Sequence, residues 1–377
     1  MTPLQSPPRG RCYAVPNRLL HARMSSTVSW RQLDPSPDPN HGAPLPRSSH
    51  AVASVTPAVD DGTTRLLVCG GEDAPDTPIP DPRQVLWVAE GKGGGDGTWR
   101  WVSPEVASDS APPPTARCGH AAASSGRYVY VFGGRTAAGD ATADMYRIEI
   151  IHSPTWPFSP EYTVKYTRIN YGNGPCARSD HAMITSGHSL YLYGGVGADG
   201  RLSDLHRFDT RFETWSDLGT ADPGTDSADG RDEATLMVLE GGRKIAAVAA
   251  RANGTDAGVH VFDTTTGEWD EEATAVEGPS PRGACASAAL PDGRTVLFGG
   301  EVRGSYADDV VVFDGTTGVA EEAVGRGGGQ SWPRARGRSG AASAGGDRFY
   351  LFGGLAGDDS GPERLGDLWE GRVSSGG

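Results

Sequence analysis

Short apolar runs that end in a pair of glycines recur along the chain. In Tyr128–Phe132, followed by Gly133 and Gly134, aromatic and β-branched residues alternate, which is typical of a strand that packs on both faces. The glycines end the strand at a point where a side chain would not fit. The same pattern occurs at residues 67–71, 190–195, 296–300 and 349–354. The recurrence predicts a protein built from structural repeats.

The spacing of the glycine pairs indicates one further copy. Successive pairs begin at positions 70, 133, 194, 299 and 353, so one interval, of 105 residues, is much longer than the others. Residues 244–250 lie inside this interval and show the apolar strand pattern, with Ala249 and Ala250 in place of the glycines. They predict a degenerate repeat, which brings the number of repeats to six.

An arginine precedes each of these strands at a fairly constant distance, and in three repeats a histidine follows the arginine three residues later. The arginines are Arg47, Arg117, Arg178, Arg231, Arg282 and Arg338, and the histidines are His50, His120 and His181. A residue that recurs once per repeat is expected to anchor the repeat, here by binding loop carbonyls or an adjacent aspartate. We therefore expect both sets to be structural.

A third strand follows each glycine pair, and several copies continue into a fourth strand that is led by a tryptophan. Four antiparallel strands in a repeat of roughly 50 residues are the blade of a β-propeller. The last repeat ends near residues 367–370 without a fourth strand, whereas residues 27–33 have outer-strand character. The sequence therefore predicts an all-β, six-bladed propeller whose ring is closed by an N-terminal strand, leaving no exposed edge at the seam.

The predicted domains are an N-terminal segment at residues 1–24, the propeller at 25–373 and a tail at 374–377. Residues 1–33 contain five arginines and no aspartate or glutamate, a bias typical of organelle transit segments. Met24 offers a second start site. Three interpretations of residues 1–23 stay open: a targeting presequence, an artefact of an upstream start, or a disordered tail.

The amino-acid composition argues against several classes of partner and site. The net charge is −14 and the body of the chain has no basic block, which argues against binding to DNA or RNA. No apolar run approaches the roughly 18–20 residues that cross a bilayer. The five cysteines are widely spread and never form a C-x-x-C motif, so neither a disulfide framework nor a zinc site is expected. We expect a soluble, cytoplasmic monomer in which Cys69 is a small buried apolar residue.

The repeated order Arg-x-x-His, apolar run with Gly-Gly, Tyr or Phe with Asp, and Trp resembles kelch repeats over about residues 27–373. The resemblance implies a kelch β-propeller. This fold does not define one function, because kelch propellers include protein-binding scaffolds, oxidases and epimerases.

Local stretches are also similar to the plant specifier proteins, kelch propellers that redirect glucosinolate breakdown with the help of Fe(II). The similar stretches are residues 46–50, 69–72, 78–81 and 298–302. Glu301 matches the start of the family's iron motif, E-x-x-x-D-x-x-x-H, but Ser305 and Asp309 occupy its other two positions. Iron sites of this type need nitrogen donors beside a carboxylate. We therefore expect no resident metal, with Glu301 and Asp309 as the remaining candidate ligands for Fe(II).

Strand directions in a blade bring the loop after the second strand and the loop entering the first strand to the same face. The candidate ligand-binding residues on this face are Glu72, Arg135, Arg201 and Glu301. A mixture of guanidinium and carboxylate groups can orient a small charged ligand, because arginine offers paired donors to carboxylate or sulfate. In the alternative interpretation, Glu72 and Arg135 pair with each other and neutralise the mouth of the channel.

Three functional hypotheses follow. The first is a specifier-like propeller that binds a small ligand or a protein on the loop face near the channel. The second is an Fe(II)-assisted lyase of the specifier type, acting on glucosinolate-derived or related sulfur compounds. The third is a scaffold for protein–protein interaction. No catalytic residue is assigned, since the chain has no G-x-S-x-G elbow and no phosphate-binding loop that precedes a helix.

Overall fold

A computed structural model describes most of the chain. The described residues are 26–56, 61–92, 97–153, 161–220, 233–250, 257–270, 282–302, 304–325, 331–357 and 361–374. The predicted N-terminal segment 1–24, most of the predicted tail and Arg231 lie outside the described residues. Within them, no helix is long and apolar enough to cross a membrane.

Six four-stranded antiparallel sheets form the blades of a β-propeller, as predicted. The innermost strands of neighbouring blades contact each other all the way round, which closes the ring. From the axis outward, the first three blades consist of Ala51–Ser54, Thr64–Cys69, Leu86–Gly91 and Trp99–Val102; Ala121–Ser125, Tyr128–Phe132, Met145–His152 and Tyr162–Ile169; and Ala182–Ser186, Ser189–Gly197, Gly200–Asp209 and Thr214–Thr220.

The other three blades follow the same order. They consist of Thr235–Leu239, Lys244–Ala250, Ala257–Asp263 and Glu268–Trp269; Ala286–Ala289, Arg294–Phe298, Val310–Asp314 and Val319–Glu322; and Gly340–Ser343, Arg348–Ala356, Glu363–Ser374 and Thr27–Leu33. The degenerate repeat predicted at residues 244–250 is therefore the second strand of the fourth blade.

Shorter elements complete the blades. Two-residue strands add to the outer edges of the second and sixth blades by parallel pairing, and three short hairpins or strand pairs lie where the second strands end. These elements are Glu105–Val106 and Val324–Gly325 at the edges, and Glu72–Ala74 with Thr77–Pro78, Arg117–Cys118 with Arg135–Thr136, and Glu301–Val302 with Ser305–Tyr306. The 3-10 turns are Pro82–Gln84 and Glu240–Gly242.

Successive side chains of each second strand point to opposite faces of the sheet and pack into the cores on its two sides. In Tyr128–Phe132, Val129 and Val131 pack into the core shared with the first blade. Tyr130 and Phe132 point the other way and pack into the core shared with the third blade. Because successive side chains of a strand lie on opposite faces, a strand between two blades must be apolar at every position. Truncation of the fully buried Phe132 to alanine would cost about 3–5 kcal/mol.

The N-terminal strand closes the ring, as predicted. Thr27–Leu33 runs antiparallel to the last strand, with Thr27 opposite Ser374 and Leu33 opposite Leu368. Trp30 is buried there, and its ring lies edge-on to Phe298 at 5.2 Å between centroids. The first and last parts of the described chain are thus held in one sheet.

The repeated arginines anchor their blades, as expected for Arg47, Arg117, Arg178 and Arg282. Each is buried and donates to the carbonyl of the first glycine of its pair, at 2.9–3.1 Å. Arg117, Arg178 and Arg282 also bind both oxygens of an aspartate that lies in the third strand or directly before it, whereas Arg47 uses Gln84.

The prediction of Arg338 as the anchor of the sixth blade is wrong, because Arg336 has this role. Arg336 is fully buried and donates to Gly353 O at 3.0 Å and to both oxygens of Asp367 at 2.6 and 2.9 Å. Arginines stand at every second position in this segment, so spacing from the glycine pair did not separate them. Arg338 is instead half-buried near the axis.

The three histidines connect neighbouring blades. His50 Nε2 contacts Phe352 O of the sixth blade at 3.1 Å, and its ring lies against the first glycine of that blade's pair, Gly353. A Cβ on Gly353 would come within 2.9 Å of His50 Cε1, and a Cβ on Gly71 within 2.8 Å of His50 Cβ. Gly71 and Gly353 therefore leave the room that the His50 ring occupies between the two blades. Burial lowers the pKa of His50, His120 and His181 to about 3, so all three are neutral at pH 7.

The cysteines of the described residues are unpaired: Cys69, Cys118, Cys176 and Cys285. Cys69 is buried at the end of its strand, which confirms its predicted apolar role.

Candidate functional site at the loop face

On one face of the ring, the residue after each glycine pair lies beside the residue that follows the blade arginine. The pairs described are Glu72 with Ser48, Arg135 with Cys118, Val196 with Ser179, Glu301 with Gly283, and Leu355 with Gly337. We call this side of the ring the loop face. The pairing brings the predicted site residues to the rim of the central channel, as the strand directions indicate.

A closed ring of backbone hydrogen bonds surrounds the axis at this face. Its members stand two positions after each blade arginine, and each N–H donates to the carbonyl of the member from the preceding blade at 2.7–3.3 Å. They are Ser49, Gly119, Asp180, Glu233, Ala284 and Arg338, which we call the axial ring. A hexagon with sides of about 5 Å, the spacing of hydrogen-bonded strands, has its corners about 5 Å from its centre. The backbone of the ring therefore lies close to the axis.

All members of the axial ring adopt the left-handed backbone conformation. Gly119 has a φ of 63°, and the other five have φ of 53–55°. This region costs roughly 1 kcal/mol or more for a residue with a Cβ. A Cβ at Gly119 would lie 2.6 Å from Asp180 Oδ1, so the carboxylate occupies the room that the glycine leaves. The ring accepts backbone strain at five positions and carries three ionisable side chains.

Arg338 lies over the channel and pairs across it. Its Nη2 lies 2.5 Å from Oε1 of Glu233, and the two side chains are 33% and 19% exposed. The pair joins the sixth blade to the fourth and passes over Ala284 of the fifth, whose methyl group leaves space. Burial opposes the charge of Arg338, yet the carboxylates of Glu233, Asp180 and Glu72 raise its pKa above the ordinary value.

Arg135 is the second arginine of the site. Its Nη1 donates to Asp180 Oδ2 at 2.5 Å and to Ser179 Oγ at 3.1 Å, and its Nη2 donates to Asp76 Oδ1 at 3.2 Å. The side chain is 23% exposed. Burial of Arg135 is offset by these carboxylates, which raise its pKa. The predicted pair between Arg135 and Glu72 is not formed.

Glu72 is held inside the rim. It accepts hydrogen bonds from Ser48 Oγ at 3.1 Å, from Ser49 Oγ at 3.2 Å and from the backbone N–H of Asp76 at 3.1 Å. Its cation is Arg364, with Nη2 at 3.4 Å from Oε1. The Arg364 side chain is 10% exposed, and its buried Nε has no hydrogen-bond partner among the described residues.

Sequence reasoning missed Arg364, although the repeat contains the signal for it. Arg364 lies opposite Leu355 across the hairpin of the sixth blade, as Arg201 lies opposite Val196 in the third blade. Arg201 was predicted as a site residue because it follows a glycine pair closely, whereas a longer loop precedes Arg364. Asp180, Glu233 and Arg338 were not predicted as site residues. The prediction used the position relative to the glycine pair, whereas these three residues share a position relative to the blade arginine.

Arg201 and Glu301 are exposed on the loop face. Glu301 lies opposite Tyr306 in a hairpin, and the Tyr306 ring packs over Gly337, where a Cβ would lie 2.6 Å from its Cε1. A cleft of about 450 Å³ begins beside this ring, between the fifth and sixth blades. It is lined by Gly304, Ser305, Tyr306, Asp308, Arg334, Ala335 and Gly357.

The residues at the iron-motif positions do not fit a ferrous ion. Both oxygens of Asp309 accept hydrogen bonds from Arg282, at 2.6 and 2.8 Å, so this carboxylate anchors the fifth blade. Ser305 supplies no nitrogen donor. Within the described ranges, no group of three His, Cys, Asp or Glu side chains is arranged to hold a metal ion.

The cysteine beneath the site is not a nucleophile. Burial and the nearby Glu72 carboxylate raise the pKa of Cys118 to about 12 despite the opposing charge of Arg135, so the thiol stays protonated at neutral pH.

The closed ring, the arginine anchors and the paired glycines define a kelch-type β-propeller. Residues 95–282 match the model of the KLHDC2/KLHL20/DRC7 Kelch-repeats domain. The chain is a kelch-repeat protein. The solved structure of YjhT aligns with a TM-score of 0.56 at 16% identity, over 88% of this chain and 98% of that one, which supports the fold alone.

Three relatives illustrate the range of functions. The chain is 28% identical over 279 residues to N-(sulfonatooxy)prop-2-enimidothioate sulfolyase of Thlaspi arvense, which covers 69% of this chain and 72% of that protein. It is 24% identical to Kelch domain-containing protein 2 of Bos taurus, over 68% of this chain and 66% of that protein. It is 30% identical to the Rab9 effector protein with kelch motifs of Homo sapiens, over 43% of this chain and 37% of that protein.

Proposed function

We propose that this kelch propeller binds a small ligand through an anionic group, at the axial ring and the arginines beside it. The observation that carries the proposal is the strained ring. Five residues hold a conformation that glycine adopts without cost, although the second blade shows that glycine fits this position. Such strain persists where a side chain is needed. Here the side chains that it brings to the axis are those of Asp180, Glu233 and Arg338.

Arginine chemistry supports an anionic group. A guanidinium carries five N–H donors in a planar fork that matches carboxylate and sulfate. Glu233 is the one carboxylate within ion-pair distance of Arg338 in the described part of the chain. Arg338 and Arg364 of the sixth blade and Arg135 of the second lie at the channel mouth, and the Nε of Arg364 is a further buried donor with no partner among the described residues. A ligand at the axis can therefore meet guanidinium groups from several directions.

The relative from Thlaspi arvense agrees with this chemistry in part. Its name describes a substrate with a sulfonatooxy group, which is a sulfate ester and hence an anion. The lyase hypothesis also needs iron in the specifier type of mechanism, and the residues at Glu301, Ser305 and Asp309 do not fit that ion. We therefore propose ligand binding as the function and assign no bond-breaking step.

Protein binding is the second candidate, and one surface feature favours it. Phe212, at the outer turn of the third blade, is 71% exposed, with the Arg211 guanidinium 5.3 Å from the centre of its ring. Exposed aromatic and arginine side chains are enriched at protein interfaces. The relative from Homo sapiens is named as an effector of Rab9, a protein partner. This candidate uses the rim of the propeller and leaves the axial site unexplained.

Ligand-observed NMR tests the first proposal. Methyl sulfate, acetate and taurine serve as probes, and we expect protein-dependent saturation transfer to at least one of them. Arg338→Gln and Arg364→Gln should weaken it at least about tenfold, the loss of a charge-assisted hydrogen-bonded contact. Arg372→Gln is the matched control, because Arg372 forms a surface ion pair with Asp347 far from the axis. Absence of transfer to all probes, or equal binding by Arg338→Gln and the control, would overturn the proposal.

A further inference from the structure

We propose a binding site for a compact organic cation in the cleft between the fifth and sixth blades, separate from the axial ring. The class that fits is an alkylammonium or quaternary ammonium compound. Its cationic group lies against the ring of Tyr306 and the carboxylate of Asp308, which both line the cleft.

The identity of Tyr306 carries the first step. Tyr306 stands three positions before Asp309, the aspartate bound by the arginine of its blade. The same repeat position holds Arg201 in the third blade and Arg364 in the sixth. The fifth blade thus presents an aromatic ring where those two blades present a guanidinium. The face of a tyrosine ring attracts cations through its negative π electrons.

Asp308 adds a carboxylate that the repeat does not require. It stands directly before the aspartate bound by the blade arginine, where the second, third and sixth blades have Ala143, Ser203 and Gly366. Its side chain is exposed and forms no ion pair among the described residues. The indole N–H of Trp332 donates to the backbone carbonyl of Asp308 at 2.7 Å, which fixes the chain at this point. The carboxylate is therefore available to a cation in the cleft.

The other charges around the cleft do not cancel Asp308. Arg334 lines the cleft, and its Nη1 lies 2.8 Å from Oε2 of Glu363, so this guanidinium already has a carboxylate. Glu301 is exposed and lies opposite Tyr306 in the hairpin. These described side chains comprise one positive and three negative charges, a balance of −2, and the whole chain carries −14. The local field therefore favours a cation over an anion.

The shape of the cleft fits a small molecule. Its volume of about 450 Å³ lies in the range of pockets that bind small ligands. Gly304, Gly357 and Ala335 carry little or no side chain, so much of the wall is backbone. The Tyr306 ring is held in place by its packing over Gly337. A metal ion fits less well, because no three His, Cys, Asp or Glu side chains converge to hold one in the part of the chain that the structure describes.

A matched pair of probes tests the selection of charge. Choline and 3,3-dimethyl-1-butanol have the same shape, and a carbon atom of the alcohol replaces the charged nitrogen of choline. Dissociation constants come from saturation-transfer titrations of the full chain at low ionic strength, because salt screens exposed charges. We expect choline to bind at least about fivefold more tightly than the alcohol, as for one partly screened ion pair with an aromatic contact.

Variants locate the cation. Asp308→Asn should weaken choline binding at least about threefold, the loss of one exposed charge contact. Asp199→Asn is the matched control, because Asp199 is an exposed aspartate at the turn of the corresponding hairpin in the third blade. Tyr306→Leu should also weaken choline binding, whereas Tyr306→Phe keeps the ring and should bind choline as the wild type does. Melting temperatures of all variants show whether they are folded.

Three results would overturn the inference. If the alcohol binds as tightly as choline, or neither binds, the cleft does not select a cation. If Asp308→Asn and Asp199→Asn weaken choline binding equally, the effect comes from the general negative field of the loop face. If Tyr306→Leu binds choline as tightly as the wild type, or Tyr306→Phe no longer binds it, the face of the ring takes no part in the site.

Discussion

Arg338 of the sixth blade is paired with Glu233 of the fourth, at 2.5 Å, across the mouth of a channel that six blades share. Neither residue is an anchor of its own blade. Both occupy the same repeat position and hold the same left-handed conformation, with φ of 53° and 54°. The repeat requires the backbone conformation at this position. The side chains differ between blades, so they are specific to this protein.

The same substitution should have a large effect on stability at Arg336 and a smaller one at Arg338. Arg336→Gln removes a buried charge from Asp367 and Gly353, and we expect it to lower the free energy of unfolding by about 3–5 kcal/mol. Arg338→Gln removes an ion pair whose side chains are 33% and 19% exposed, and it should cost less, about 1–2 kcal/mol. Chemical denaturation of both variants checks this. A larger loss in Arg338→Gln than in Arg336→Gln would show that the anchor of the sixth blade is wrongly assigned.

We expect the glycine pairs to be required because a Cβ would not fit there, and not only because of their left-handed φ. Gly133 and Gly126 both have a left-handed φ, of 66° and 59°. A Cβ at Gly133 would lie 2.6 Å from Arg178 O, whereas nothing lies within 4 Å of one at Gly126. Gly126→Ala should cost about 1 kcal/mol for the backbone alone, and Gly133→Ala should add overpacking of about 1–3 kcal/mol. Equal losses of stability in urea denaturation would contradict this explanation.

The free energy of unfolding should decrease as the pH is lowered below about 6.5. Burial lowers the pKa of His50, His120 and His181 to about 3 in the folded chain, so between about pH 3 and 6.5 the unfolded chain binds more protons than the folded one. The contribution of each histidine is fully present above pH 6.5 and is lost as pH falls, by up to about 1.4 kcal/mol per pH unit.

Urea denaturation between pH 4.5 and 7.5 measures this effect, since most carboxylates are still ionised over that range. His120→Gln should flatten the slope by about a third, because it removes one of the three histidines whose pKa is lowered by burial. His188→Gln, at an exposed turn, is the control. A wild-type stability independent of pH from 5 to 7 would exclude neutral buried histidines.

Titration with Fe(II) tests the resemblance to specifier proteins. We expect no tight stoichiometric site that depends on Glu301, because Asp309 is bound to Arg282 on both oxygens and Ser305 replaces a carboxylate. Anaerobic calorimetry on the wild type and on Glu301→Ala measures it. One saturable site in the wild type that disappears in Glu301→Ala would restore the lyase hypothesis.

The repeat made most of the fold predictable. Alternating apolar residues in Tyr128–Phe132 specify a strand between two cores, and the glycine pair after it specifies a close approach of the next blade. The outer-strand character of residues 27–33 was enough to place them in the last blade. The site was less predictable, since Arg135 was found from its place after a glycine pair while its partner Asp180 was not.

The sequence by itself determined the elements that every blade repeats: strands, glycine pairs, histidines and all but one of the arginine anchors it placed in the described residues. Such features are local, so spacing along the chain is sufficient to find them. The tertiary structure alone decided which of Arg336 and Arg338 is buried, and that Arg338 meets Glu233 across the axis. Those contacts join blades that are distant in the chain, and closure of the ring, rather than any local pattern, brings them together.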